Sequence, residues 1–193
     1  MKPGVLALQG AFREHVEALG ALGLDAIEVR EPEQLATVDV LFLPGGESTT
    51  LGRLLLTSGL LAPLAQRLTA GLPVFGTCAG LILLATEVTD GRPDQVSFGA
   101  LDCTVRRNGY GRQRDSFEAP LTFDQPVGVA GRFPGVFIRA PLIERTGEAI
   151  EVLARHEDHP VLVRQGAVWA STFHPELAGD LRLHQRFISE VTS

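Results

Sequence analysis

Cysteine is scarce in this chain: Cys78 and Cys103 are the two present among 193 residues. That is too few for a disulfide framework. No apolar run is long enough to cross a bilayer. An excess of basic charge is missing too. The formal net charge is −6, which argues against nucleic acid as the main partner. The start, Met1-Lys2-Pro3-Gly4-Val5, runs straight into a strand-like pattern without a signal-peptide layout. A cytoplasmic protein with no membrane partner is the expectation. Internal repeats, low-complexity tracts and linkers are absent, so residues 1–193 are read as a single domain. What is there is ordinary for a folded domain: 45% hydrophobic and 21% charged residues.

The first two thirds alternate short apolar runs with helical patterns. Gly4 to Leu8, Asp25 to Val29, Asp39 to Leu43 and Pro73 to Gly76 read as strands. Ala11 to Leu22 reads as a helix with Phe12, Val16 and Leu19 on one face; a second helix capped by Ser48 runs through Leu56. Leu60 to Leu68 and Ala79 to Thr86 make two more. Continuous apolar strands separated by helices imply a parallel sheet covered on both faces. After Thr89 the pattern changes. Residues 90 to 126 are rich in Gly, Pro and Arg. Gly135 to Ile138, Ala149 to Ala154, Val161 to Arg164 and Ala167 to Phe173 then follow as antiparallel or edge strands. Leu177 to Val191 closes the chain as a helix, with Leu181, His184, Phe187 and Val191 on one face. The expected class is α/β: a mostly parallel open sheet, helices on both faces, and added antiparallel strands.

Gly76-Thr77-Cys78-Ala79-Gly80 lies between a strand and a helix. A G-x-C-x-G at that place is the thiol counterpart of the G-x-S-x-G elbow. The glycines allow a sharp turn that lifts the side chain out at the carboxyl end of the strand, beside a helix N-terminus that favours thiolate. The Ala79 N–H is then placed to donate to an oxyanion. Cys78 by itself reads equally as a nucleophile or a buried structural thiol; Cys103 reads as a small buried hydrophobe. His174-Pro175-Glu176 follows the run Val168 to Phe173. Proline pushes His174 towards extended backbone, where residues i and i+2 point the same way. Glu176 could therefore orient one ring nitrogen and leave the other for a thiol. The order Cys…His…Glu differs from the Ser…Asp/Glu…His order of α/β-hydrolases, which counts against a small esterase. A metal site from the same three residues lacks short-spaced pairs such as C-x-x-C. Gly45-Gly46 reads as a plain turn or as a second oxyanion donor. Arg106, Arg107, Arg112 and Arg114 read as a solvated loop or as a fork for a carboxylate.

Gly-Thr-Cys-Ala-Gly with a distant His-Pro-Glu resembles the class I (triad) glutamine amidotransferases. Other segments narrow the likeness: Leu6-Ala7-Leu8-Gln9-Gly10-Ala11-Phe12-Arg13-Glu14-His15, Leu43-Pro44-Gly45-Gly46-Glu47-Ser48-Thr49-Thr50, Arg107-Asn108-Gly109-Tyr110-Gly111-Arg112-Gln113, Phe137-Ile138-Arg139-Ala140-Pro141 and Phe173-His174-Pro175-Glu176-Leu177. Together they resemble the PdxT family, the glutaminase subunits of pyridoxal 5'-phosphate synthases. The resemblance implies a flavodoxin-like amidotransferase fold and hydrolysis of L-glutamine to glutamate and ammonia. The ammonia would pass to a separate synthase subunit (PdxS) in a large hetero-oligomer, with no cofactor on this chain. It implies Cys78 as nucleophile, His174 as base and Glu176 as its orienting acid. Gly46, Glu47, Ser48, Arg106, Ile138 and Arg139 would bind glutamine, with Ala79 and Gly46 as oxyanion donors. Gln9, Gly10, Glu14 and His15 would lie near the partner interface, where docking could reorganise the Gln9-Gly10 or Gly45-Gly46 turn. Gly109-Tyr110 and Ala178-Gly179-Asp180 depart from the usual pattern without touching a catalytic role. The alternatives are a glutaminase for another acceptor, such as an imidazole-glycerol-phosphate synthase, and a non-catalytic regulatory subunit. The Gln9 to His15 segment speaks against the first, and the intact Cys78, His174 and Glu176 against the second.

Overall fold

A computed structural model describes residues 1–110, 116–123 and 127–192. Arg112, Gln113 and Arg114 lie outside the described residues. In chain order the elements are β1 (Pro3–Leu6), α1 (Phe12–Ala21), β2 (Ile27–Val29), α2 (Pro32–Thr37), β3 (Val40–Leu43), α3 (Ser48–Thr57), α4 (Leu61–Thr69), β4 (Val74–Thr77), α5 (Ala79–Leu84) and β5 (Ala85–Thr89). They continue as β6 (Leu101–Arg106), β7 (Ser116–Leu121), β8 (Phe133–Ile138), β9 (Leu142–Thr146), β10 (Glu151–His156), β11 (His159–Gln165), β12 (Val168–Ser171), a 3₁₀ turn (Pro175–Leu177) and α6 (Arg182–Val191).

The main sheet has seven strands in the order β10-β11-β12-β4-β3-β1-β2. The five from β12 to β2 are parallel, and β11 and β10 extend the sheet antiparallel. Strand alternation divides the core in two. Leu41 and Leu43 of β3 face a layer holding Leu35 of α2, Leu55 of α3, Leu64 of α4 and the apolar side of α5. Val40 and Phe42 face the other layer, with Leu19 of α1, Leu183 and Phe187 of α6, and Phe133 and Phe137 of β8. Phe42, Phe75, Trp169 and Phe187 meet there ring to ring at centroid separations of 5.4–6.3 Å. Each such side chain removed from water contributes about 1.5–3 kcal/mol, so this aromatic layer clamps α6 to the sheet. A three-stranded sheet, β5-β6-β9, and a β7-β8 ribbon complete the fold. Among the described residues no helix is long and apolar enough to cross a membrane.

Several local readings change. Glu47, not Ser48, caps α3: its carboxylate accepts from the N–H groups of Thr49 and Thr50. α2, which starts on Pro32 and a Glu31/Gln34 capping box, is a helix beyond those expected. The expected last helix is split, because Gly179 takes φ +64° between the 3₁₀ turn and α6. The last apolar run is not an edge strand. β12 lies inside the sheet, parallel to β4, so the chain ends that carry Cys78 and His174 emerge side by side.

α5 crosses close over β3. A Cβ on Gly80 would stand 2.2 Å from the Leu43 carbonyl oxygen. Gly80→Ala should therefore destabilise the fold by about 1–3 kcal/mol through overpacking. Gly20, in α1, has open space where a Cβ would go, and Gly20→Ala should stabilise by about 0.5–1 kcal/mol. Urea titrations of both variants check this pair. Equal effects on the two would contradict the close approach.

Candidate active site

The turn from β4 into α5 places Cys78 in a conformation rare for a residue with a side chain, φ +51° and ψ −99°. The surroundings hold it there. Its N–H donates to Ser171 O at 2.8 Å, and its carbonyl accepts from Ile82 N–H at 3.2 Å. The residue is 6% exposed, with Sγ 3.9 Å from the Ile138 carbonyl. Ala79 is the first residue of α5.

His174 lies just beyond the end of β12, and its N–H donates to Val136 O at 2.8 Å. The imidazole lines the same cavity as Cys78 and is hydrogen-bonded, through Nδ1, to Glu176 Oε1 at 2.7 Å. The His-x-Glu contact is made by the 3₁₀ turn at Pro175–Leu177 rather than by continued extended chain. Gly45 allows the ring its place, since a Cβ there would lie 2.2 Å from His174 Cε1. Burial works against a charged imidazole, but the neighbouring Cys78 and the hydrogen bond to Glu176 outweigh it and push His174 up to about 10. Burial also opposes ionisation of Glu176. The imidazoles of His15 and His174 overcome it and hold this carboxyl below its usual range.

His15 is not at the surface. It is fully buried and cannot itself touch a partner in this conformation. Its Nδ1 lies 3.0 Å from His184 Nε2, and its Nε2 lies 3.2 Å from Thr77 Oγ1 and 3.6 Å from Glu176 Oε2. Burial lowers His15, and burial followed by the nearby His15 lowers His184 to about 3, so both rings are neutral near pH 7. His15 shares a helical stripe with Phe12 and Leu19, and His184 one with Phe187.

A cavity of about 300 Å³ opens over Cys78 and His174, lined by Gln9, Gly10, Gly46, Glu47, Ser48, Ile82, Arg107, Ile138, Arg139 and Leu177. Arg107 reaches Glu47 Oε1 at 3.0 Å and Thr49 Oγ1 at 3.2 Å. Arg106 does not line the cavity. It is the last residue of β6, and its side chain pairs with Glu144 at 3.3 Å. Of the two adjacent arginines, Arg107 is the one that lines the cavity. Burial tends to raise Glu47, but the Thr50 hydroxyl and the Thr49 and Thr50 N–H groups lower it to about 2. Ser48 Oγ is turned to Gln95 Oε1 at 3.0 Å. The Gln9–Ala11 turn straps the Gly45-Gly46-Glu47 segment: Gln9 Oε1 accepts from Glu47 N–H and Gly45 O accepts from Ala11 N–H, each at 2.9 Å. Glu14 is half-buried in the first turn of α1. Among the described residues no group of three His, Cys, Asp or Glu side chains could hold a metal ion.

The model of the SNO glutamine amidotransferase family matches residues 5–193. The pyridoxal 5'-phosphate synthase subunit PdxT of Mycobacteroides abscessus is 58% identical over 188 residues, covering 97% of this chain and 96% of that protein. The same subunit of Frankia alni is 57% identical over 191 residues, 98% and 94% of the two chains. A crystal structure of a glutamine amidotransferase superposes with a TM-score of 0.91 at 51% identity, over 99% of both chains. The structure of PurLQS from Thermotoga maritima shares the fold, with a TM-score of 0.67 at 14% identity over 98% of both chains.

The buried histidines fix a pH profile for stability. Between pH 6.5 and about 3 the unfolded chain binds a proton that His184 in the fold does not, so stability falls on acidification, with His15 and Glu176 acting in the same direction. Each proton contributes a slope of about 1.4 kcal/mol per pH unit. Denaturant unfolding across pH 4.5 to 7 should show stability falling towards the acid end. A stability that rises on acidification would contradict these assignments.

Proposed function

The chain belongs to the SNO glutamine amidotransferase family, and we propose that its cavity works through Cys78 as nucleophile, His174 as base and acid, and Glu176 as the group that orients the imidazole. The activity is hydrolysis of L-glutamine to L-glutamate and ammonia, and the ammonia supplies pyridoxal 5'-phosphate synthesis. What supports the residue roles is His174, held through Nδ1 by the buried Glu176 and sharing with Cys78 the lining of a cavity that has Arg107 and Arg139 in its wall.

A protonated imidazole beside sulfur favours the thiolate, the nucleophilic form. Sulfur adds to the amide carbon of glutamine, and the amide oxygen becomes an oxyanion. The N–H groups of Ala79 and Gly46 are the proposed donors to it. The Gly45 carbonyl is held by Ala11 N–H. Across a planar trans peptide this turns the Gly46 N–H away from the strap. His174 gives its proton to the departing nitrogen, the C–N bond breaks, and ammonia leaves a thioester. His174 then takes a proton from water as the water adds, and glutamate is released with the thiol restored. Arg107 and Arg139 suit the α-carboxylate of glutamine, and Glu47 the α-ammonium. Gly46, Ser48 and Ile138 complete the wall, and Arg106 has no part in it.

The proposed partner is the synthase subunit (PdxS), in a hetero-oligomer that takes up the ammonia, with this chain acting as one amidotransferase domain. Gln9, Gly10 and Glu14, at the start of α1, are the proposed docking segment. Because the strap made by Gln9 and Ala11 holds Gly45 and Glu47, docking there would set the Gly46 peptide and complete the oxyanion hole. The complex should turn over glutamine at least about tenfold faster than the free chain, a population effect of about 1.4 kcal/mol. Full activity in the free chain would sink the gating. Cys78→Ala should abolish glutamine-dependent cofactor formation by the complex and leave formation from added ammonia intact. Glu176→Gln should lower glutamine turnover by about 10²–10⁴-fold. Retained turnover in Cys78→Ala would refute the assignment of the nucleophile.

A further inference from the structure

The second oxygen of Glu176 raises a question that a three-residue site does not answer. Oε1 receives His174 Nδ1–H at 2.7 Å. Oε2 is buried and has no hydrogen-bond partner within bonding distance, and His15 Nε2 stands 3.6 Å away. A buried anionic oxygen needs a facing donor. We propose that His15 is a positioning residue for the reaction: neutral, with its proton on Nε2, it aims that N–H at Glu176 Oε2 and Thr77 Oγ1 and so holds the carboxylate in register with His174, while His184 locks its tautomer.

The tautomer follows from the distances. If His15 Nε2 carried a lone pair, that pair would face the carboxylate oxygen across 3.6 Å. Carrying the proton, it meets two acceptors. The Nδ1 of a neutral ring is then bare. It lies 3.0 Å from His184 Nε2, so His184 must be the donor. That leaves His184 Nδ1 without a proton, which fits a buried atom with no partner; a bare lone pair there is cheaper than a stranded N–H. Burial keeps both rings neutral. A doubly protonated His15 would set two N–H groups against each other. The ionisable groups facing His15 are Glu176 and His174 after β12, His184 from α6, and Glu14 from α1 itself.

The inference rests on the proposed Cys78–His174–Glu176 triad, and the experiment separates the two. His15→Phe, His15→Gln and His184→Phe are prepared, each assembled with the synthase subunit. The readouts are kcat and KM for glutamine and the pH midpoint of Cys78 alkylation by iodoacetamide. His15→Phe fills the space but removes the donor. It should lower kcat by about 10–100-fold, the range for groups that orient a functional residue, leave KM within about twofold, and move the alkylation midpoint up by about one pH unit. His15→Gln offers a carboxamide N–H in place of Nε2–H and should return kcat to within about threefold. His184→Phe frees His15 to shift its proton to Nδ1 and should move the midpoint in the same direction. If His15→Phe does not fold, the Gln and His184 variants decide. Wild-type kcat and midpoint in His15→Phe, a His15→Gln as impaired as the Phe variant, or an unmoved midpoint in His184→Phe would overturn the proposal. Failure of a glutamine-analogue chloroketone to label Cys78 in the wild-type complex would instead overturn the triad.

Discussion

A carboxylate sealed from water governs this structure. The Glu176 side chain is fully buried, and an isolated buried charge costs several kcal/mol even after relaxation. It persists because His174 stands 2.7 Å from one oxygen and the His15 ring faces the other. Removing one partner of such a buried pair typically costs about 3–5 kcal/mol. The elements that carry the partners are therefore held together by the same requirement: α1 through His15, α6 through His184, β4 through Thr77 and the segment after β12 through His174.

The sheet makes that meeting possible. β4 and β12 are about ninety residues apart in sequence and adjacent in the sheet, paired in parallel from Val168 opposite Val74 to Ser171 opposite Thr77. Parallel pairing puts both carboxyl ends on one edge, where open α/β sheets place their ligands. β3 and β1 end on the same edge and deliver Gly45-Gly46 and Gln9-Gly10. The cavity is thus assembled from the loops after four neighbouring strands, with the Arg107 and Ile138-Arg139 segments closing over it.

Much of this was legible in residues. Apolar runs bounded by Pro, Gly or Asp marked all five of these strands, though the last of them reads as antiparallel or edge, and the cysteine between Gly76 and Gly80 marked the elbow. The misses have physical causes. α2 has six residues and one buried side chain, too few for a helical period to show. β6 and β7 lie in a segment whose Gly, Pro and Arg content hides strand character. Arg106 and Arg107 are indistinguishable as types, and only the end of β6 decides which one turns to the cavity. His15 sat in a stripe with Phe12 and Leu19, but a polar residue in such a stripe reads as a surface contact until a buried acceptor is known to lie opposite.

That buried contact changes how α1 should be regarded. Its leading turn, Gln9 to Ala11, bonds the Gly45 carbonyl and the Glu47 N–H. One turn further on, His15 faces Glu176. A helix of ten residues behaves as one rigid body over that span. A displacement of its N-terminus cannot reorient the Gly46 peptide without also shifting the imidazole that faces Glu176, the proposed acid of the triad. The proposed oxyanion donor and the proposed acid are then two readouts of one coordinate, the seat of α1 on the sheet, and tight packing makes such a coordinate switch between arrangements rather than deform by degrees.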